Sequence, residues 1–446
     1  MKAEDNQPLG RAFTAPGLLL FALPTMAMMV FMGLYTFADT VFVSRLAGTD
    51  ALAAMNVICP VTQVAVGLGT MLAAGGGAMI AQSMGKGDGL RARELFTAFA
   101  LAAVVLGAIL GAAGLAGMEP LLRLLGARGV LAGHGRAYLA VYLGFLPATM
   151  LQTLYANWFV TAGRPGLGAA LAACGGLLNI ALDALLMGGF HMGIRGAALG
   201  TGLGALMPAA AGTAFFILRG EGLRFARPRI RPGELLCALG NGASEMVGQL
   251  SSAVTTYLLN RAMLRFAGED GVAGMTIVVY AQFLLSTAYI GFSMGVTPVI
   301  GYLCGAGKLT RLRRTVRICF GAILGSAWAV YVLARAFGPA LIALYTGRDT
   351  AVYALTLEGF AVFSAGFLFC GVNIFTSSML TALGEGRASA LLSFLRTCVF
   401  LTAGILLLPC VFGVRGVFLA SPLSEGLACV AAAGALLDKQ VRRRLF

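Results

Sequence analysis

The stretch 95–118 of this chain contains no charged side chain. It is long enough to cross a lipid bilayer as an α-helix, which requires about 20 apolar residues. Similar uncharged runs follow one another along all 446 residues, separated by short segments rich in Gly, Pro and charge. Only 11% of the residues are charged and the mean hydropathy is +0.87, so a single soluble core would not bury this apolar surface. The pattern predicts an all-α polytopic membrane protein.

The apolar runs and the loops between them predict twelve transmembrane helices. The predicted spans are 14–38, 50–78, 93–115, 136–161, 166–187, 194–218, 233–262, 272–302, 313–337, 353–383, 387–411 and 414–437. Most Lys and Arg residues fall in the loops on the side of the two chain ends, which predicts that both termini are cytoplasmic. The net charge of +14 is therefore a topology signal and a contact for the lipid bilayer, and we expect no nucleic-acid partner.

An internal repeat divides the chain. The segment PGLLLFALP at 16–24 matches PGELLCALG at 232–240, and GIRGAALG at 193–200 matches GVRGVFLA at 413–420. The repeat predicts an N-lobe at 1–218, a basic cytoplasmic linker at 219–232 and a C-lobe at 233–446, with six helices in each lobe. Because six is even, both lobes enter the membrane from the same side, and an axis near the membrane normal should relate them. This is the architecture of an alternating-access carrier, although a fold does not identify the cargo.

Acidic residues at membrane depth are rare here, and each costs roughly 2.5 to 3.5 kcal/mol or more. Asp39 lies near the outer end of helix 1, and Asp183 lies in helix 5 with Asn179 one turn before it on the same face. A rise of about 1.5 Å per residue places Thr201 of helix 6 at a similar depth. Tyr35 precedes Asp39 by one turn. The set predicts a coupling-cation site for H⁺ or Na⁺, built from carboxylate, amide and hydroxyl oxygens.

A purely structural role for both acids is the alternative. Asp39 and Asp183 would then form hydrogen bonds with the backbone, or with Tyr35 and Asn179, and only hold helices together. The second half of the repeat does not carry the same set, because Thr255 occupies the position that corresponds to Asp39. The coupling site is therefore predicted in the N-lobe alone.

The C-lobe carries its own embedded charges. Arg396 and Glu425 fall at mid-depth on adjacent helices and are predicted to form a structural ion pair. Glu245 is an additional embedded acid, and we assign it as a neighbour or substrate contact. Met32 is among the methionines that would line an adaptable cavity for bulky apolar cations.

The sequence offers little for catalysis. The chain contains no HExxH or Walker motif and no cluster of His and Cys with metal-ligand spacing. We therefore expect no enzyme, no catalytic residue, no resident metal and no cofactor. H⁺ or Na⁺ would act only as the coupling ion.

Several segments together resemble the multidrug and toxic compound extrusion (MATE) family. They are LPTMAMMVFMGLYTFADTVFVSRLAG, AGGGAMIAQSMGKGD, GRPGLGAALAACGGLLNIALDALL, RGAALGT and GVTPVIGYLCGAGK. The resemblance covers nearly the whole chain, and it implies two six-helix lobes forming a V in the inner membrane. It also implies export of organic, often cationic, compounds against entry of H⁺ or Na⁺. On the family pattern the cation would be bound by Asp39, Asn179, Asp183 and Thr201, with Tyr35 and Asn157 nearby.

The main hypothesis is thus a cation-coupled antiporter that exports drugs or metabolites by alternating access, and we expect a monomer. A flippase for a lipid-linked precursor is the alternative within a related fold. That activity requires basic residues in the central cavity to bind a pyrophosphate, and only Arg396 is a candidate. An intramembrane enzyme would need a nucleophile or metal constellation at depth, and the sequence offers none. The sequence leaves open the exported compound, the choice between H⁺ and Na⁺, the presence of a C-lobe cation site and the most populated conformation.

Overall fold

The computed structural model describes residues 8–219, 222–438, 441, 443 and 444. The regular structure of these residues is helical, with short 3-10 and π turns and no β-strand. The two chain ends, whose cytoplasmic position is predicted above, and residues 220–221 of the predicted linker lie outside the described residues.

Sixteen α-helices are numbered here in chain order. The first half contains α1 (Ala15–Phe42), α2 (Thr49–Gly85), α3 (Gly89–Ala116), α4 (Met118–Leu124), α5 (Gly129–Tyr142), α6 (Leu146–Thr161), α7 (Pro165–Asp183) and α8 (Ile194–Leu218). The second half contains α9 (Pro232–Asn241), α10 (Ala243–Gly305), α11 (Leu309–Tyr345), α12 (Ala351–Phe363), α13 (Phe367–Leu383), α14 (Gly386–Phe394), α15 (Leu401–Phe412) and α16 (Val414–Leu436).

These helices form twelve membrane spans, as predicted. Within the described part of the chain, 11 helical stretches are long and apolar enough to cross a membrane. One of them is α10, which has 63 residues and would be about 95 Å long, far more than the roughly 30 Å of a hydrocarbon core. Its backbone leaves helical geometry at Gly268 (φ 64°, ψ −154°), so α10 is two spans that turn between residues 262 and 272, where the sequence predicted a loop. The pairs α5/α6, α12/α13 and α14/α15 each make one bent span.

The two halves repeat the same succession of elements. A 3-10 turn bends the fourth span of the first half at Leu143–Phe145, and another bends the fourth span of the second half at Ser364–Gly366. Gly193 (φ 57°, ψ −140°) precedes α8, and Gly413 (φ 56°, ψ −136°) precedes α16. Only glycine adopts this backbone conformation readily, which accounts for the repeated GIRG and GVRG segments. The chain is therefore built from two related six-span lobes.

The sequence misplaced several helix boundaries. The structure extends the second span to Gly85, whereas 78 was predicted, and begins the third at Gly89, whereas 93 was predicted. Polar residues such as Gln82 and Arg91 lie on these helix ends, so hydropathy alone ends the spans too early. The short helix α4 and the break between α9 and α10 at Gly242 were also missed.

We call the end of the bundle that carries residues 222–231 the linker face, and the opposite end, with Gly48, Gly193 and Gly268, the far face. The first described residues pack at the linker face, where the carbonyl of Gly10 accepts a hydrogen bond from Arg311 (2.9 Å). The last helical span also ends there, as α16 runs back from Gly413 on the far face.

The linker is ordered against the first lobe. Leu223 is buried, and the Phe225 ring packs on Phe96 with ring centroids 5.3 Å apart. The hydroxyl of Thr97 accepts a hydrogen bond from the backbone N–H of Ala226 (2.9 Å). Apolar burial and backbone pairing thus fix the linker to α3.

An ionic cluster joins the linker to both lobes. The Arg91 guanidinium on α3 donates to the Glu234 carboxylate on α9, to Glu94 (3.0 Å) and to the carbonyl of Arg229 (2.9 Å). The Glu234 carboxylate also accepts from the backbone N–H of Arg231 (2.8 Å). The hydrogen bond from Arg91 and then that from Arg231 lower the pKa of Glu234. This carboxylate therefore stays charged down to an unusually acidic pH.

Glycines let the lobes approach closely near the linker face. A Cβ atom at Gly75 of α2 would overlap the carbonyl of Ala238, and one at Gly242 would overlap the carbonyl of Met71. The side-chain amide of Gln82 crosses the same boundary and donates to the carbonyl of Ala382 (2.8 Å). We call this contact the glycine seam. It closes the space between the lobes on the linker face.

Candidate functional site

Both predicted acids of the first lobe lie beside a π turn. Asp39 is in the last turn of α1, and the π turn Val43–Ala47 follows it directly. Asp183 is the last residue of α7, and the π turn Ala184–Gly189 follows it. Such turns are rare and occur frequently at functional sites, because the extra residue changes the direction of the side chains around it.

The carboxyl groups of Asp39 and Asp183 meet in the interior of the lobe. They are close enough to interact electrostatically with each other. Asp183 is fully buried, and Asn179, one turn before it, is 4% exposed. Both Asp183 oxygens, Oδ1 of Asp39 and Oδ1 of Asn179 are buried and receive no hydrogen bond from the described residues. Four oxygen atoms from two helices thus remain unpartnered in one place.

Buried oxygen atoms without donors are uncommon in folded proteins, since each costs free energy unless a partner satisfies it. Two carboxylates in contact also repel each other if both are charged. A proton shared between Asp39 and Asp183, or a cation bound by both, relieves the repulsion and supplies the missing partner. The arrangement therefore has the chemistry of a site for H⁺ or a small oxygen-loving cation such as Na⁺.

Close helix packing builds the wall of this site. A Cβ atom at Gly200 of α8 would overlap Oδ1 of Asp183, and one at Gly204 would lie 2.9 Å from Cβ of Asn179. On the other side of α7, a Cβ atom at Gly176 would lie 3.1 Å from the Tyr35 ring. Small residues on α7 and α8 thus create the room that the acid and amide side chains occupy.

Thr201 is linked to the site by Tyr138, a residue that the sequence analysis did not suggest. The Thr201 hydroxyl donates to the carbonyl of Ala197 (3.0 Å), and the Tyr138 hydroxyl lies near enough to interact with it. Tyr138 is buried, stacks on Tyr142 with ring centroids 5.8 Å apart, and is close enough to both acids to interact electrostatically with them. The sequence did contain one indication of this role, because Tyr138 lies near the far-face end of the predicted fourth helix, at the depth of Asp39.

The remaining predicted neighbours lie in different environments. Tyr35 is near the pair, where its ring packs with Phe31 at 6.2 Å and it interacts electrostatically with Asp39. The Asn157 amide donates to the Thr153 carbonyl of its own helix (3.1 Å). Glu245 lies in the first turn of α10, where a negative charge complements the helix dipole. The described contacts do not bring Asn157, Glu245 or Met32 to the acidic pair.

The second lobe contains a buried ion pair instead. Arg396 Nη2 is 2.7 Å from Glu425 Oε1, and Arg396 Nε is 3.0 Å from each Glu425 oxygen. The Asn373 amide donates to Glu425 Oε2 (2.7 Å) and to the Glu425 carbonyl (2.9 Å). Both carboxylate oxygens therefore have donors from the protein.

The twelve membrane spans form two repeated lobes that are in contact on one face, and one lobe contains a buried, oxygen-rich site. This architecture is that of a membrane transporter. The sequence model of the MatE family matches residues 24–185 and 245–404, one stretch in each lobe. The chain belongs to the MatE family, whose members are transporters rather than enzymes.

The similarity to known proteins extends over nearly the whole chain. The Multidrug export protein MepA of Staphylococcus saprophyticus is 23% identical over 420 residues, which cover 94% of this chain and 91% of the relative. The crystal structure of a MATE protein in complex with MaL6 has a TM-score of 0.90 at 22% identity and covers 98% of each chain. The outward-facing conformation of a multidrug resistance MATE family transporter has a TM-score of 0.87 at 23% identity, covering 98% of this chain and 97% of that one. These solved structures share the fold of this chain.

Proposed function

We propose that this protein is a cation-coupled antiporter that exports organic, often cationic, drugs or metabolites across the cytoplasmic membrane by alternating access. The observation that carries the proposal is the buried pair of Asp39 and Asp183, which together with Asn179 presents four unpartnered oxygen atoms. The names of the MepA relatives and of the outward-facing structure support multidrug export as the direction and the cargo class.

The coupling residues are Asp39, Asn179, Asp183 and Thr201, and H⁺ or Na⁺ is the coupling ion. When the site faces water on the far side, the acidic pair exchanges its cation with that side. Cation capture neutralises the pair and permits α1 to bend near Pro24, which narrows the cavity between the lobes and displaces the exported compound. Release of the cation on the opposite side restores the repulsion and the starting conformation.

The linker face is cytoplasmic in this proposal. Exposed Arg224, Arg227 and Arg231 of the linker lie on that face, and short cytoplasmic loops carry an excess of such residues. The glycine seam closes that same face, so the cavity between the lobes would open to the outside. In this proposal the protein acts as a monomer in the bilayer.

The alternative of a lipid-precursor flippase is weaker. A pyrophosphate headgroup needs an available cationic group in the central cavity. The Arg396 guanidinium is already bound to Glu425 through three hydrogen bonds, so it is not available to bind such a headgroup.

Transport in proteoliposomes tests the proposal, with ethidium as the organic cation and separately imposed pH and Na⁺ gradients. Asp39→Asn, Asp183→Asn and the double variant should be produced at nearly normal yield and still bind ethidium at least partly. Each should lose gradient-driven ethidium transport. Asp50→Asn is the matched control, because Asp50 is an exposed acid of the same lobe, and it should transport normally. Undiminished concentrative transport by the double variant would show that both carboxylates are structural.

A further inference from the structure

The ion pair of the second lobe lies on the two spans that correspond, in the repeat, to α7 and α8 of the first lobe. The two family-model matches are offset by about 220 residues at their starts and at their ends, and this offset places Arg396 opposite residue 176 on α7, less than a turn from Asn179. It also places Ser421 opposite Thr201. A π turn, Leu395–Phe400, contains Arg396, and another, Ala184–Gly189, follows Asp183 further along the corresponding span. Both lobes thus have a buried polar centre on their fifth and sixth spans, although Glu425 itself corresponds to Ala205.

The two centres differ in how the carboxylate is satisfied. In the first lobe, Asp183 has no donor among the described residues. In the second, Glu425 is 6% exposed, and each of its carboxylate oxygens receives hydrogen bonds from Arg396. The amide of Asn373 completes the set. The guanidinium therefore occupies the position that a bound cation would take beside this carboxylate, which the Asn373 NH2 group orients.

We propose that Glu425, oriented by Asn373, is a latent monovalent-cation site that the chain fills with its own Arg396. This inference rests on the proposed coupling role of the first lobe. An arginine cannot be deprotonated under ordinary conditions and cannot diffuse away, so its occupancy does not depend on pH or Na⁺ concentration. The second lobe consequently exchanges no ion, and the first lobe alone sets how many ions move in each transport cycle.

The test removes the tethered cation in a background where the first lobe cannot bind ions. Purified Asp39→Asn, Asp183→Asn protein is the background, and binding is followed as proton uptake after a pH step and as a Na⁺-dependent rise in unfolding temperature, with choline as control. The background should show neither response. Addition of Arg396→Gln should restore one H⁺ or one Na⁺ per molecule, and further addition of Glu425→Gln should abolish it again. Arg396→Lys, which retains a cation, should gain nothing.

The outcomes separate the two proposals. If the background protein still responds to H⁺ or Na⁺ as the wild type does, the first-lobe coupling site is wrong. If the background is silent and folded Arg396→Gln protein is silent too, the latent site is wrong.

A variant that folds poorly is tested by chemical rescue. Millimolar methylguanidinium should raise the unfolding temperature of Arg396→Ala by several degrees, while leaving the Arg396→Ala, Glu425→Gln protein unchanged. An equal effect of methylguanidinium on both proteins would overturn the inference.

Discussion

Gly200 is the position where one added methyl group tests the acidic site most directly. A Cβ atom there would overlap Oδ1 of Asp183 and lie 3.5 Å from Nδ2 of Asn179. Asp183 is fully buried, and Gly204 already packs against Asn179, so α7 has little room to move away from α8. The Gly200→Ala variant must therefore displace the carboxylate from Asp39.

Overpacking of this kind costs about 1 to 3 kcal/mol. The carboxylate must occupy the obstructed position in order to bind a cation together with Asp39, so the cost falls on the cation-bound geometry. Because about 1.4 kcal/mol corresponds to a tenfold change, the apparent cation affinity should fall about 5- to 150-fold. Initial rates of ethidium transport in proteoliposomes, measured over a range of H⁺ and Na⁺ concentrations, give this affinity.

Two glycines provide matched controls. A Cβ atom at Gly202 of the same helix would overlap the Phe145 ring, which is not part of the acidic site, so Gly202→Ala should lower stability but preserve cation affinity. Gly144 has no atom within 4 Å of an added Cβ, and Gly144→Ala should change neither quantity. The reasoning fails if well-folded Gly200→Ala protein has wild-type cation affinity, or if Gly202→Ala loses as much affinity.

Two further predictions concern the other polar groups. Asn179→Ala and Thr201→Ala should weaken cation dependence less than loss of either carboxyl group does, because each variant removes only a neutral ligand. Transport rates measured over a range of H⁺ and Na⁺ concentrations test this, and loss of all transport in either variant would contradict it. Arg91 lowers the pKa of Glu234 in the folded protein. The stabilisation from this pair is therefore fully present above the ordinary glutamate pKa of about 4.3, and it is lost as the pH falls through the lower pKa of the folded state. The difference in unfolding temperature between wild type and Glu234→Gln should therefore be constant near neutral pH and shrink on acidification, and a difference that grew on acidification would refute the assignment.

Hydropathy predicted the number of spans because the bilayer requires apolar surface of a fixed length, whatever the helix packs against. The break at Gly268 followed from the same argument, as polar residues cannot continue a span. The packing of the linker could not be predicted in this way. Its basic composition suggested only a connection, but burial of Leu223 against the first lobe depends on a partner surface distant in sequence.

The candidate site was partly accessible from the sequence. Asp39 and Asp183 stand out because an embedded carboxylate is costly and therefore rare. Tyr138 does not stand out, since a tyrosine near a membrane surface is common and its contact with Thr201 depends on the rotation of two helices about their axes. Depth can be estimated by counting residues, but that rotation is set by packing such as that of Gly200 and Gly204 on α7.

The glycine seam has a consequence for how this transporter tolerates mutation. At Gly75 and Gly242 backbone lies directly against backbone, so these two positions can separate without any rotamer change. A methyl group at either position acts as a wedge that is penalised only while the linker face is shut. Substitutions at these glycines would therefore all have the same effect. Each would shift the resting population toward a conformation with an open linker face, without changing the residues of the proposed cation site.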